Sequence, residues 1–199
     1  NQVVASNIMS SALRPFRARY PGLSVVVRTR TTVEISELLA KDRADLGVIY
    51  DAPVDQTLMV EHIDEQEIGC LMTADHPLAG RERICLSDLE GHDLIALGRT
   101  QPVGAALRRV MHEAGVELPI ALEVSQSNTA CSFVKAGLGV AVLDAMGLKE
   151  GRERGLVSCP LGPRTTVRLS LVRSVNRAGS RYVSELADCI RTAIRAAQE

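Results

Sequence analysis

Short apolar runs recur along this chain, and stretches with helical spacing separate them. Leu23 to Arg28, Asp45 to Tyr50, Glu67 to Thr73, Asp93 to Leu97, Ile120 to Val124 and Val140 to Leu143 all read as strands. Each is too short to be a core helix, and several are apolar at nearly every position, as a strand buried on both faces requires. Such strands, alternating with helices, predict an α/β fold whose parallel sheet is covered on both sides.

The intervening stretches carry helix signals. Val4, Ile8, Ala12, Leu13 and Phe16 share one face, so residues 4–19 are predicted helical, with Pro15 inside the span and Tyr20-Pro21-Gly22 as the stop. Thr31-x-x-Glu34 is a capping-box pattern ahead of Ile35, Leu38 and Leu39. After Tyr50 a long irregular stretch, containing Pro53, is expected as far as Asp64. Ser87-Asp88 suits a short helical turn. Pro102 occupies a favoured first-turn position before the stripe Leu107, Val110, Met111 and Ala114, which Gly115 ends. Ser125 to Ala136 is a further helix, closed by Gly137. Near the end, Val167, Leu169 and Leu171 alternate as a half-exposed strand. A long helix capped by Ser180 follows, with Val183, Leu186, Ala187, Ile190, Ile194 and Ala197 on its apolar face.

This order divides the chain into two α/β units, residues 1–70 and 71–166, with residues 167–199 completing the first. The chain would cross between them near Ile68 to Leu71 and near Thr166. Two crossings favour a cleft that can hinge.

Composition excludes several classes of function. Lys plus Arg is 23 against 24 Asp plus Glu, which leaves no cationic surface for coating nucleic acid. Aromatics are 3% of residues with no Trp, so base-stacking platforms are not expected. No apolar run approaches the roughly 18 residues of a membrane span, and Asn1 to Ser11 lacks the basic and apolar regions of a secretory leader. The five cysteines (Cys70, Cys85, Cys131, Cys159, Cys189) are odd in number and widely spaced, and read as free thiols of a reducing cytoplasm. His62, His76, His92 and His112 are scattered without ligand spacing, so no metal is expected.

Catalytic motifs are absent: there is no phosphate loop, no zinc-protease helix and no nucleophile elbow. Gly137-Leu138-Gly139 lies between a helix and a strand, the reverse of a dinucleotide motif, and serves as a helix stop. No enzyme activity and no cofactor are therefore expected. The positive signal is hydroxyl residues at helix starts that follow strands: Thr31 and Thr32, Thr100, and Ser125 and Ser127. In an open α/β sheet such junctions lie where ligands bind, and helix starts offer unpaired N–H groups to anions. Arg30 and Arg99 stand beside these junctions, where a guanidinium can grip a carboxylate through two parallel hydrogen bonds. Asp144 ends the run Val140 to Leu143, where a carboxylate could hold an ammonium.

In order and spacing the chain resembles the effector-binding domain of LysR-type bacterial transcription regulators. The resemblance rests on Phe16-x-x-x-Tyr20-Pro21, Asp45-Leu46-Gly47-Val48-Ile49 six residues after Leu39, Asp75-His76-Pro77-Leu78-Ala79, Leu86-Ser87-Asp88-Leu89, and Val134-Lys135-Ala136-Gly137-Leu138-Gly139-Val140-Ala141. It implies a two-lobed, type II periplasmic-binding-protein-like fold with two crossover strands and an interlobe cleft. It also implies a DNA-binding winged helix-turn-helix that is not among these residues, antiparallel pairing of two such domains into homodimers through residues 4–19 and 102–114, and tetramers assembled through the DNA-binding parts.

Family effector contacts fall here on Val3 and Val4, on Thr31 and Thr32, and on Ser125 to Thr129, which includes Ser127 and Asn128. Two positions depart from the family. Many members have a hydroxyl near Val3, where Ser6 and Asn7 are the nearest polar residues on this helix, and Pro is common where Asp144 stands. The stretch Ser127 to Asp144 is similar to members that respond to opines and basic amino acids. The resemblance therefore points to a small polar effector with a carboxylate and an amine, and to Val3, Ser6, Thr31, Thr32, Arg99, Thr100, Ser125, Ser127, Asn128 and Asp144 as its contacts. A transporter's solute-binding protein shares this fold and is the competing expectation.

Overall fold

Helix α1 (Met9–Arg19) continues through Pro15 and stops at Tyr20, ahead of Pro21, with Ala12 and Phe16 buried. Its partner is α6 (Arg181–Ala196), which buries Val183, Ala187, Ile190, Ala193 and Ile194. Tyr20 joins the two helices: its ring meets Tyr182 edge-on at 5.2 Å, and its hydroxyl donates to Glu185 at 2.5 Å. These elements belong to one of two compact units, Asn1–Asp64 with Arg168–Glu199; the other is Glu65–Val167. The structure is a computed structural model that describes residues 8–51, 56–175 and 180–196. Val3, Val4, Ser6, Asn7, Pro53 and Ala197 lie outside the described residues.

The first unit also holds α2 (Thr32–Ala40), β1 (Gly47–Tyr50), the first half of β2 (Leu58–Met72) and most of β8 (Thr166–Ser174). β1 runs antiparallel to β8, with Gly47 opposite Val172 and Tyr50 opposite Leu169. Leu39, Ile49, Leu58 and Val172 form a core cluster, and Ile35 and Ala44 pack on it. Both dividing points between the units fall inside strands, at Asp64/Glu65 in β2 and at Val167/Arg168 in β8.

Two expectations fail in this unit. Leu23 to Arg28 is not a strand; it has no ladder partner among the described residues, and Val26 is 72% exposed. Strand-forming residues stabilise a strand only through a neighbour. Here an open groove of about 610 Å³ lies between Leu23–Arg30 and Arg43–Val48, floored by Phe16, Leu38 and Ile190. The stretch expected to be irregular as far as Asp64 is instead the start of β2, at Leu58. Its exposed Met59, Val60 and Glu61 break the alternation that announces a strand.

The second unit contains the rest of β2, β3 (Ile84–Cys85), a 3-10 turn at Leu86–Leu89, β4 (Leu94–Leu97), α3 (Pro102–Glu113), β5 (Ile120–Val124), α4 (Ser127–Lys135), β6 (Val140–Asp144), α5 (Ala145–Glu153) and β7 (Val157–Gly162). The strand order is β3-β7-β2-β6-β4-β5. β4 is parallel to both β5 and β6, whereas β2 is antiparallel to β6 and β7. The sheet is therefore mixed, not parallel throughout, because β2 returns against strands that helices connect. α5 and β7 carry no clear sequence signal: Gly147, Lys149, Glu150 and Gly151 dilute the helical stripe, and Pro160 interrupts the strand.

Pro102 opens α3, which buries Val103, Ala106, Leu107, Val110 and Met111; Ala114 of the expected stripe is the exposed C-cap. Gly104 lets α3 start tight against β4: a Cβ there would lie 2.2 Å from the Leu97 carbonyl oxygen and 2.3 Å from that of Gly98. Backbone cannot yield as a side chain can, so Gly104→Ala is expected to destabilise by about 1–3 kcal/mol. Thermal unfolding should register a midpoint several degrees lower; an unchanged midpoint would contradict the packing described.

Candidate functional site

Because β4 is parallel to its neighbours β5 and β6, all three strands end on one edge of the second unit. Each is followed there by a helix: α3, α4 and α5. That edge collects three helix N-termini, with their unpaired N–H groups and partial positive charge. It also collects six of the sequence candidates: Arg99, Thr100, Ser125, Ser127, Asn128 and Asp144.

Between β4 and α3, Arg99 and Thr100 are exposed. Gln101, the N-cap of α3, sends its side-chain amide to the Ser125 carbonyl at 2.9 Å. It thereby ties the first junction to the second, a link that residue type alone did not reveal. Gly98 N–H donates to the Val124 carbonyl at 3.1 Å and braces the same two loops.

Between β5 and α4, Ser125 is exposed and Gln126 is the N-cap, so the helix starts two residues later than the hydroxyl pattern implied. Ser127 occupies the first helical position at 2% exposure, and its Oγ has no hydrogen-bond partner. Leaving a buried hydroxyl unmatched costs about 1–3 kcal/mol. Asn128 is half-buried; its carbonyl accepts from Ser132 Oγ at 3.0 Å and from Arg154 at 3.3 Å, and its Oδ1 accepts from Thr129 Oγ1 at 3.4 Å.

Between β6 and α5, Asp144 is the N-cap of α5 and fully buried, and its Oδ1 accepts from Gly147 N–H at 2.8 Å. A Cβ on Gly147 would come within 3.1 Å of that oxygen and 3.2 Å of the Ser127 Cβ. Gly147 therefore lets the openings of α4 and α5 meet, and the sequence pattern had not singled it out.

In the first unit, Thr31 caps α2 with a complete capping box. Glu34 N–H donates to Thr31 Oγ1 at 3.3 Å, and Glu34 Oε2 accepts from Thr31 N–H at 2.9 Å and from Thr31 Oγ1 at 2.8 Å. Thr32 Oγ1 donates to the Tyr50 carbonyl at 3.4 Å and joins the start of α2 to the end of β1. The Arg30 guanidinium donates to the Thr29 carbonyl at 2.9 Å. The groove of this unit is lined by Arg30 and Ile35 but by neither Thr31 nor Thr32. The candidates Val3 and Ser6 lie outside the described residues.

Among the described residues no group of three or more His, Cys, Asp or Glu side chains could hold a metal ion. No helix among them is long and apolar enough to cross a membrane. His76 is a turn residue whose Nδ1 accepts from Leu78 N–H at 3.2 Å; partial burial and neighbouring His92 hold its pKa below the ordinary value.

Residues 1–195 match the family model described as the LysR substrate binding domain. The chain is 26% identical, over 91% of its length, to the transcriptional activator protein LysR of Escherichia coli strain K12, and spans 58% of that relative. The regulatory domain of CcmR from Synechocystis PCC6803, solved in complex with 2-PG, superposes with a TM-score of 0.83 at 19% identity, covering 96% of this chain and 92% of that one. The effector binding domain of QuiR, solved with shikimate, gives 0.81 at 14% identity, covering 98% and 93%. At these identities the likeness establishes the fold, which is the type II periplasmic-binding-protein-like fold of LysR effector-binding domains.

The backbone N–H and hydroxyl of Thr31 hold the Glu34 carboxyl below the usual carboxylate range. Its folded-state pKa being lowered, the stabilisation is present above the unfolded-state pKa and disappears as pH falls through the folded-state value. Thr31→Ala should move the Glu34 titration, followed by NMR, upward toward the ordinary value and flatten the acid side of the stability curve. An unmoved titration would mean the capping box does not form in solution.

Proposed function

The chain belongs to the LysR substrate-binding-domain family, and from that premise we propose that it is the sensing domain of a transcription regulator whose effector is a small polar metabolite bearing a carboxylate. The observation that carries this reading is the Ser127 hydroxyl: buried, without a partner, and set in the first turn of α4. A hydroxyl in that state is satisfied by a ligand oxygen, and the adjoining N–H groups and helix dipole favour a negative one.

By the same chemistry, Ser125, Asn128, Thr100 and Arg99 are proposed contacts at this edge, with Arg99 as the flexible cation. Thr31 and Thr32 in the first unit, and Val3 and Ser6 of the N-terminal stretch, are proposed contacts by the family resemblance. Asp144 is the proposed partner of an amine on the effector, in keeping with an amino-acid-like or opine-like compound.

Bound effector shifts the protein between states only by its difference in affinity for them. In the whole regulator, that shift would reposition DNA-binding domains carried outside these residues, in a cytoplasmic homodimer or tetramer. A transporter's solute-binding protein would share the fold, but the curated relative is a transcriptional activator, and no observation favours the transporter reading. The same relationship supports a binding role over an enzymatic one.

Calorimetric titration and thermal melting with a panel of amino acids, opine-type conjugates and aromatic carboxylates test the proposal. At least one compound is expected to bind with micromolar to millimolar affinity and to raise the melting midpoint. Ser127→Ala should weaken that binding by roughly ten-fold or more. The ligand-free midpoint should stay level or rise, since the variant deletes an unmatched buried hydroxyl. A panel without any response, or an unchanged affinity in Ser127→Ala, would remove the basis for this site.

A further inference from the structure

We propose that Cys70 and Cys159 form a cross-strand dithiol that a hydroperoxide converts to a disulfide, an oxidative modification site in the second unit separate from the effector edge. Cys70 of β2 stands directly opposite Cys159 of the antiparallel β7, and both are free. Opposed residues of an antiparallel pair project from the same face, with Cβ atoms about 4.5–5.5 Å apart. The Cα spacing general to such pairs, about 4.5–5.5 Å, falls within the roughly 4.4–6.8 Å that a disulfide spans, and closing the bond draws the Cβ atoms in to about 3.5–4.5 Å.

The neighbours of Cys70 along β2 identify which face this is. A Cβ on Gly69 would lie 2.9 Å from Leu148 of α5, and one on Gly151 of α5 would lie 2.4 Å from the Leu71 side chain. Gly69 and Leu71 therefore face α5, and by strand alternation Cys70 faces away from it. On that opposite face the Cys159 thiol donates to the Arg81 carbonyl at 3.0 Å, within the turn-rich stretch 73–83. An ion pair between Arg81 and Asp88 at 3.3 Å and a hydrogen bond from Arg83 to the Leu161 carbonyl at 2.8 Å hold this cover down. Cys70 and Cys159 are 0% and 2% exposed, so opening these turns is the route by which an oxidant arrives.

The surroundings set the order of events. Burial raises the pKa of both thiols, that of Cys70 to about 12 with a further push from Cys159, while the Arg83 guanidinium favours the thiolate at Cys159. Cys159 is therefore the first nucleophile. Its thiolate attacks the peroxide, forming an S–O bond and breaking the O–O bond; the departing alkoxide leaves as the alcohol after taking a proton. Cys70 sulfur then attacks the sulfenic sulfur. The S–S bond forms, the S–O bond breaks, and hydroxide leaves as water with the proton from Cys70. Overall, two thiols give up two electrons and two protons, and one hydroperoxide becomes one alcohol and one water. The product ties β2 to β7.

The test treats the native chain with tert-butyl hydroperoxide, alkylates remaining thiols in denaturant, and maps peptides by mass spectrometry without reduction. The expected product joins the Cys70 and Cys159 peptides, two hydrogens lighter than their sum, and dithiothreitol reverses it. Arg81→Ala, which removes the Arg81–Asp88 ion pair, should speed its formation a few-fold. In Cys70→Ser, a dimedone probe should trap the sulfenic acid at Cys159. The proposal is overturned if both thiols remain alkylatable under conditions that fully oxidise exposed Cys85, or if the linkage forms only in denatured protein. Both of these outcomes are read from the unsubstituted chain, so neither depends on a variant that folds poorly.

Discussion

Strand β4 runs parallel to both of its neighbours, and the gathering of three helix openings at one edge of the second unit follows from that one relation. If β5 or β6 were reversed, its following helix would open at the opposite edge and the three N-termini would separate. Parallel pairing needs a long connection between strands. Here the connections are α3 and α4, whose starts are thereby fixed beside one another. Gln101 and Gly98 bridge the first two loops, and Gly147 removes the side chain that would push the second and third apart. A polar rim braced in this way, by backbone and by the Gln101 side chain, would lower the entropy lost on binding in the proposed site.

Within that rim, two buried polar groups are treated in opposite ways. Asp144 is fully buried, and its carboxylate receives the Gly147 N–H at the start of α5. Its side chain thus takes up an N–H group that the opening of the helix it caps would otherwise leave unpaired. Ser127, in the first turn of α4, is nearly as deeply buried but leaves its hydroxyl unmatched. A fold that satisfies one of two adjacent groups and leaves the other open has local strain in reserve, the pattern expected where a guest supplies the missing partner.

Legibility from sequence followed the origin of each signal. Helix-opening chemistry is local, so the Thr31–Glu34 box, Pro102 at the start of α3 and the Gly115 and Gly137 stops could be read directly and are found in place. The buried strands β4 and β6 were legible because both faces are apolar. Strand pairing is not local. Leu23 to Arg28 has the right residues and no ladder partner among the described residues, whereas Leu58 to Asp64 has poor alternation and does belong to a strand. α5 was hidden for a different reason: Gly147 and Gly151, which dilute its helical signal, are what its close approach to Ser127 and Leu71 demands. At the candidate site the residue types were readable, but the depth of Ser127, the exposure of Ser125 and the bridging by Gln101 were set by packing.

The charges around the edge also argue about what kind of guest fits. Three helix N-termini and an exposed Arg99 favour an anion, and Asp144 already occupies the one N-terminus that it caps. The remaining positive ends belong to α3 and α4, whose N-caps Gln101 and Gln126 are neutral and make no side-chain cap bond. On the reading proposed above, a carboxylate would be drawn to the α3–α4 side, and a positive group to the side of Asp144. A guest carrying both charges, separated by a short chain, would align with this gradient in one orientation only. A simple monoanion would meet the favourable half without the other. In the proposed site, that discrimination would come from a buried acid at one of three otherwise similar helix openings.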